Sequence, residues 1–77
     1  MGLLDALQSW MLRRRRHRAL RKSVYYYGKA AEGFAERKNA KGLAEALEGV
    51  QRLTDCGFSD VERRARAILR KYSGLQF

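Results

Sequence analysis

Apolar residues recur along this chain at steps of three and four, and no useful length of it alternates as a strand would. Three stretches carry the helical period, at about 3–38, 41–54 and 60–72. In the third, Val61, Ala65, Ile68, Leu69 and Tyr72 fall within about 100° of one another at about 100° per residue. Arg63, Arg66 and Arg70 take the opposite side. In the second, Leu43, Leu47, Val50 and Thr54 form a stripe flanked by Ala46 and Leu53, with Lys41, Glu45, Glu48 and Arg52 facing away. The punctuation between stretches agrees with this division. Asn39 and Gly42 mark the first joint. Gly57 suits the left-handed conformation that closes the second helix, and Ser59 with Glu62 reads as a capping box for the third. The turn Asp55–Phe58 is short, so the second and third helices are expected to form an antiparallel hairpin. Ser73-Gly74 ends the third.

The first stretch carries two stripes rather than one. Leu20, Val24, Tyr27, Ala31 and Phe34 make a core stripe. Followed towards the N-terminus, it meets His17 and Arg13, with Arg16 beside it. Unpaired charges cannot face an apolar core. The bundle is therefore expected to end near Leu20, with residues 13–18 projecting beyond it. Leu3, Leu4, Leu7, Trp10 and Met11 form a second stripe, turned by about 120° from the first, with Asp5 placed in it. This stripe needs a burial partner of its own. The expected fold is all-α: a long N-terminal helix plus a helical hairpin, forming a three-helix mini-bundle. Residues 1–18 are the expected amphipathic and basic arm, and residues 19–77 the bundle. Unbroken, a helix over 3–38 would run about 54 Å at about 1.5 Å per residue.

With 77 residues and no proline, the chain is one domain with a small core. Cys56 is alone and forms no disulfide within the chain, which fits a reducing, cytoplasmic compartment. No stretch reaches the roughly 18 apolar residues of a membrane span. The apolar Leu3–Leu12 precedes the arginines, the reverse of a secretory signal. Ala6 stands where a myristoylation signal wants a hydroxyl residue.

Charge changes the picture most. The net charge of +9 divides into −1 over residues 1–12, +7 over 13–22 and +3 over 23–77. Residues 13–22 read RRRRHRALRK, with no acid among them. Arginine outnumbers lysine by twelve to five, and arginine suits the forks of phosphate and carboxylate. The leading expectation is a nucleic-acid-binding accessory or regulatory protein. Arg13, Arg14, Arg15, Arg16, Arg18, Arg21 and Lys22 would contact phosphates, with salt-sensitive and largely sequence-independent affinity. Arg63, Arg66 and Arg70 would be a second patch. Tyr25 and Tyr26, beside Arg21 and Lys22, are placed to stack on unpaired bases, although tyrosines more often pack on a neighbouring helix. The bland alternative for the arginines is a solvated helix joining two apolar parts.

Leu3, Leu4, Leu7, Trp10 and Met11 are the expected association seam, preferred over insertion in a membrane interface. The second functional expectation is a small protein-binding modulator, docking this stripe in a groove while the arginines meet an acidic rim. The third is peripheral attachment to an anionic membrane surface. One histidine and one cysteine cannot complete a zinc site within one chain. No catalytic, metal, nucleotide or cofactor signature occurs, so neither an enzyme nor a small-molecule substrate is expected.

Overall fold

Three helices form where the three periodic stretches fall. The computed structural model describes residues 2–75. In it α1 spans Leu3–Glu36, α2 spans Ala40–Arg52 and α3 spans Ser59–Tyr72, with one 3₁₀ turn at Leu53–Asp55. No strand occurs among the described residues. The fold is all-α, a mini-bundle of one long helix and a hairpin. Met1, Gln76 and Phe77, which belong to the expected segments 1–18 and 19–77, lie outside the described residues. α1 is unbroken for 34 residues, about 51 Å of helix, and sets the long axis of a molecule measuring 56 × 16 × 14 Å.

The core is small and lies in two joined parts. Val24 of α1 meets Val50, Leu53, Val61 and Ala65, with Leu20, Cys56 and Leu69 packed around them. Nearer the other end, Ala31 meets Leu43, Ala46 and Tyr72, with Phe34 and Leu47 at the margin. Ile68 packs against both parts and joins them. Cys56 is half-buried at the edge of the first part, where a small, weakly polar side chain fills space.

α2 lets α1 come close because it presents small residues. Gly42, Ala46 and Gly49 are buried at spacings of four and three. The ring of Phe34 lies over Gly42, and the ring of Tyr27 lies over Gly49, each within the space that a Cβ would need. Gly42 is therefore not part of the joint. It sits in the first turn of α2, donating its amide to the Asn39 side chain at 2.9 Å. Two aromatic rings thus fill the places of side chains that α2 lacks, beside the branched residues of the core.

The joint itself is tight. Asn39 N–H donates to Phe34 O at 2.8 Å and Lys38 N–H to Ala35 O at 3.1 Å, the paired bonds of a Schellman ending. Lys38 holds the left-handed position with φ 56°, where glycine is the usual residue. Asn39 then serves as the N-cap of α2. Arg37 donates from Nε to Gly33 O at 3.2 Å and sets its cation at the negative end of α1.

The second joint corrects the capping box. The N-cap of α3 is Phe58, not Ser59, and no side chain caps it. Glu62 still reaches back, but its Oε2 accepts from Gly57 N–H at 3.0 Å. Gly57 has the expected left-handed backbone, φ 94°. The helix starts one residue earlier than the box requires, and the ring of Phe58 turns towards α1 instead.

Two substitutions test this account by urea denaturation. Gly49→Ala drives a methyl into the Tyr27 ring and is expected to cost about 1–3 kcal/mol, as overpacking does. Lys38→Gly relieves a left-handed lysine and is expected to stabilise by up to about 1 kcal/mol. A neutral Gly49→Ala would show that α1 and α2 do not approach through that glycine.

Candidate polyanion interface

The basic stretch occupies the middle of α1, and the bundle grips it from one side only. At about 100° per residue, Leu3, Leu7, Trp10, Met11, Arg14, Arg18, Arg21, Lys22 and Tyr25 share a sector of about 120°. All nine are exposed. They form a ribbon along α1 that passes from apolar to cationic to aromatic. Asp5 lies about 160° round the helix from Leu7, on the same side as Ser9, so it does not interrupt the apolar stripe as expected.

The hairpin completes a groove beside this ribbon. Arg18, Arg21, Lys22, Tyr25 and Tyr26 of α1 and Arg64 of α3 line a cleft of about 330 Å³ that has no carboxylate in its wall. An adjoining cleft of about 260 Å³ continues it past Arg21 to Arg63, with Asp60 at its side. Tyr26 is 67% exposed and Tyr25 is 50% exposed. Their rings meet edge to face, centroids 5.7 Å apart.

The groove ends at a latch. The ring of His17 stacks on Phe58 at 4.4 Å with 2° between planes. Its Nε2 donates to both carboxylate oxygens of Asp60, each at 2.9 Å. The Arg13 guanidinium lies 5.3 Å from the centre of the Phe58 ring, a cation–π contact. Arg21 Nε approaches Asp60 at 3.7 Å. The expectation that residues 13–18 project clear of the bundle is thus corrected at Arg13 and His17. The turn between α2 and α3 meets them with the Phe58 ring and the first turn of α3 with the Asp60 carboxylate, which is the pairing that their charge demands. Trp10 and Met11 remain outside, and Arg14 packs over the Trp10 ring at 4.9 Å.

The other expected residues divide. Arg15 and Arg16 are exposed, and Arg16 points to the side of α1 opposite Arg18. Arg63 joins the groove. Arg66 does not, because its Nη2 donates to Thr54 O at 3.1 Å and ties α3 to the turn. Arg70 is exposed at the far end of α3. Among the described residues, Arg21 alone of the seven cations in 13–22 has an ion-pair partner.

Three residues of the site escape a reading of the sequence: Phe58, Asp60 and Arg64. A large aromatic in a four-residue turn was a signal that the turn touches something. Arg64 sits about 100° from Arg63 on the helical wheel, one step nearer the core face, and only the position of α1 makes it part of a groove. No protein-family model, curated protein or solved structure matches the chain.

Asp60 gives the latch a pH signature. The hydrogen bond from His17 holds its carboxyl below the ordinary 3.8 against the opposing effect of desolvation, with lesser help from the Val61 amide. A lowered folded value means that the latch contributes fully above 3.8 and is lost as the pH falls through the lower, folded value. The urea midpoints of the protein and of Asp60→Asn are therefore expected to differ near neutrality and to converge as the pH falls below 3.8. Midpoints that keep a constant separation down to strong acid would remove the latch.

Proposed function

We propose that this protein binds nucleic acid through its phosphate backbone, as a small accessory or regulatory factor. One observation carries the proposal: cations far apart in sequence, Arg18, Arg21 and Lys22 against Arg64, converge on one groove that two exposed tyrosines share. A polymer with regularly spaced phosphates and flat bases suits this groove, since guanidinium groups fork phosphates and tyrosine faces stack on bases.

Electrostatics supports the same choice. Arg14 and Arg18, and Arg18 and Lys22, are like charges four residues apart, and each such pair weakens a helix by about 0.2–0.5 kcal/mol. A phosphate chain laid along them turns this repulsion into attraction. The expected contacts are with backbone rather than base edges, so affinity should vary little with sequence. Base reading by α3 has weaker support, because Arg66 is occupied at Thr54 O and Arg63 faces the groove beside α1.

Fluorescence anisotropy of labelled oligonucleotides with nuclease-treated protein tests this directly. The logarithm of the binding constant is expected to fall linearly with the logarithm of salt, by about 0.7 per phosphate neutralised on a single strand and about 0.9 on a duplex. Arg18→Gln and Arg64→Gln are each expected to shallow that slope by about one, while Arg66→Gln leaves it unchanged. Affinity that does not change between low and moderate salt counts against the proposal. So does a single stoichiometric protein partner whose capture survives nuclease.

A further inference from the structure

The groove leaves the first three turns of α1 unexplained. Leu3 is 90% exposed and Trp10 55%, and Leu4, Leu7 and Met11 are exposed with them. Asp5 and Ser9 take the other side of the helix. This stripe is turned by about 120° from the core stripe, and Trp10 alone of the five borders the latch at Phe58. Because α1 is unbroken, the stripe is carried as a stiff extension rather than a loose tail.

We infer that the stripe is an interfacial anchor for an anionic lipid bilayer. Leu3, Leu7, Trp10 and Met11 enter the boundary between acyl chains and headgroups, and Arg14 and Arg15 stay among the headgroup phosphates. Three observations favour this occupant over a second copy of the chain. The first is size. Five side chains offer on the order of 100 Å² each, about 500 Å² per copy at most. A helix pair covers one side of each stripe, so a self-dimer stays below the roughly 1,200 Å² of a standard interface, whereas a bilayer takes the whole stripe at once.

The second is charge. The seven cations of residues 13–22 follow the stripe directly. A second copy brings seven more of the same sign, while an acidic leaflet brings the complement, and such clusters beside an amphipathic helix suit anionic headgroups. The third is the order of residues in depth. Tryptophan favours the headgroup level, and Arg14 lies over the Trp10 ring at 4.9 Å, which holds a cation at that same level. No helix among the described residues is long and apolar enough to cross a membrane, so attachment is to the surface. The inference concerns the arm and does not rest on what the groove binds.

Trp10 is the chain's one tryptophan and reports the event itself. Nuclease-treated full-length protein is mixed with vesicles of phosphatidylcholine alone, or of phosphatidylcholine with phosphatidylserine, and followed by flotation and by Trp10 emission. With the acidic vesicles the protein is expected to float and its emission to shift to the blue, with binding at least about tenfold weaker on neutral vesicles. Leu3→Gln with Leu7→Gln is expected to lose at least about tenfold in binding to the acidic vesicles. Both leucines are exposed, so the circular dichroism of this double variant should match the parent. Emission unchanged by either vesicle overturns the inference. Flotation fully retained by the leucine variant overturns it too, since charge alone would then suffice. A dimer in sedimentation that the leucine variant dissociates, without vesicle binding, assigns the stripe to a second copy instead.

Discussion

Seven positive charges within ten residues cannot be taken out of water together by a core this small. That constraint decides how the bundle uses its longest helix. α1 can be gripped from one side only, and only as far as a partner for charge is available. The last partner is the pair Phe58 and Asp60, at the N-cap and in the first turn of α3. Beyond His17 and Arg13, Trp10 still borders the depression beside Phe58, and past it α1 runs on without the hairpin. The free arm and the basic groove are therefore two consequences of one electrostatic limit, not separate features.

The grip must be firm for that arrangement to hold, and it is achieved with little material. Val24 and Ala31 are the fully buried side chains of α1. Branched residues on α2 would keep the two axes apart, as ridges do when they mesh. Gly42 and Gly49 instead leave room for the rings of Phe34 and Tyr27, which occupy the space that a Cβ would take. Ile68 links the two parts of the core, so the hairpin holds α1 along most of its C-terminal half. A long helix held at one end is what carries its exposed stripe outward from Trp10, which still borders the latch at Phe58, to Leu3 about two turns further on.

Much of this was legible in the residues. The three helices, the left-handed Gly57, the half-buried Cys56 and the core stripe through Val24 and Ala31 all follow from period and punctuation, which are local properties. What could not be read is what depends on a second element. Gly42 looks like a joint until the Phe34 ring is seen above it. His17 and Arg13 look stranded until Phe58 arrives from more than forty residues away, and the same displacement moves the cap of α3 from Ser59 to Phe58. Arg63, Arg66 and Arg70 look like one stripe on a wheel, yet the neighbours of α3 send Arg63 to the groove and Arg66 to the Thr54 carbonyl. A charge pattern tells which residues are cationic. Only packing tells which cations remain free.

That distinction bears on what the ribbon along α1 is for. A solvated linker would be stable with its charges dispersed or paired, and acids at i+4 from the arginines would strengthen the helix. Here Arg14 and Arg18 are each followed at that spacing by another cation and no arginine of the stretch by an acid, and Asp60 is the one carboxylate within ion-pair reach of the stretch among the described residues. The repulsion is thus retained on a helix that the bundle already holds in shape. A surface so prepared gains most from a ligand that supplies many negative charges in a row, because each contact removes repulsion as well as adding attraction. The groove and the arm differ in what they offer next to those charges: tyrosine faces at one end, leucines and a tryptophan at the other. The two proposals share one requirement, an extended array of phosphates, and differ in the side chains beside it: tyrosine faces for bases, leucines and a tryptophan for acyl chains.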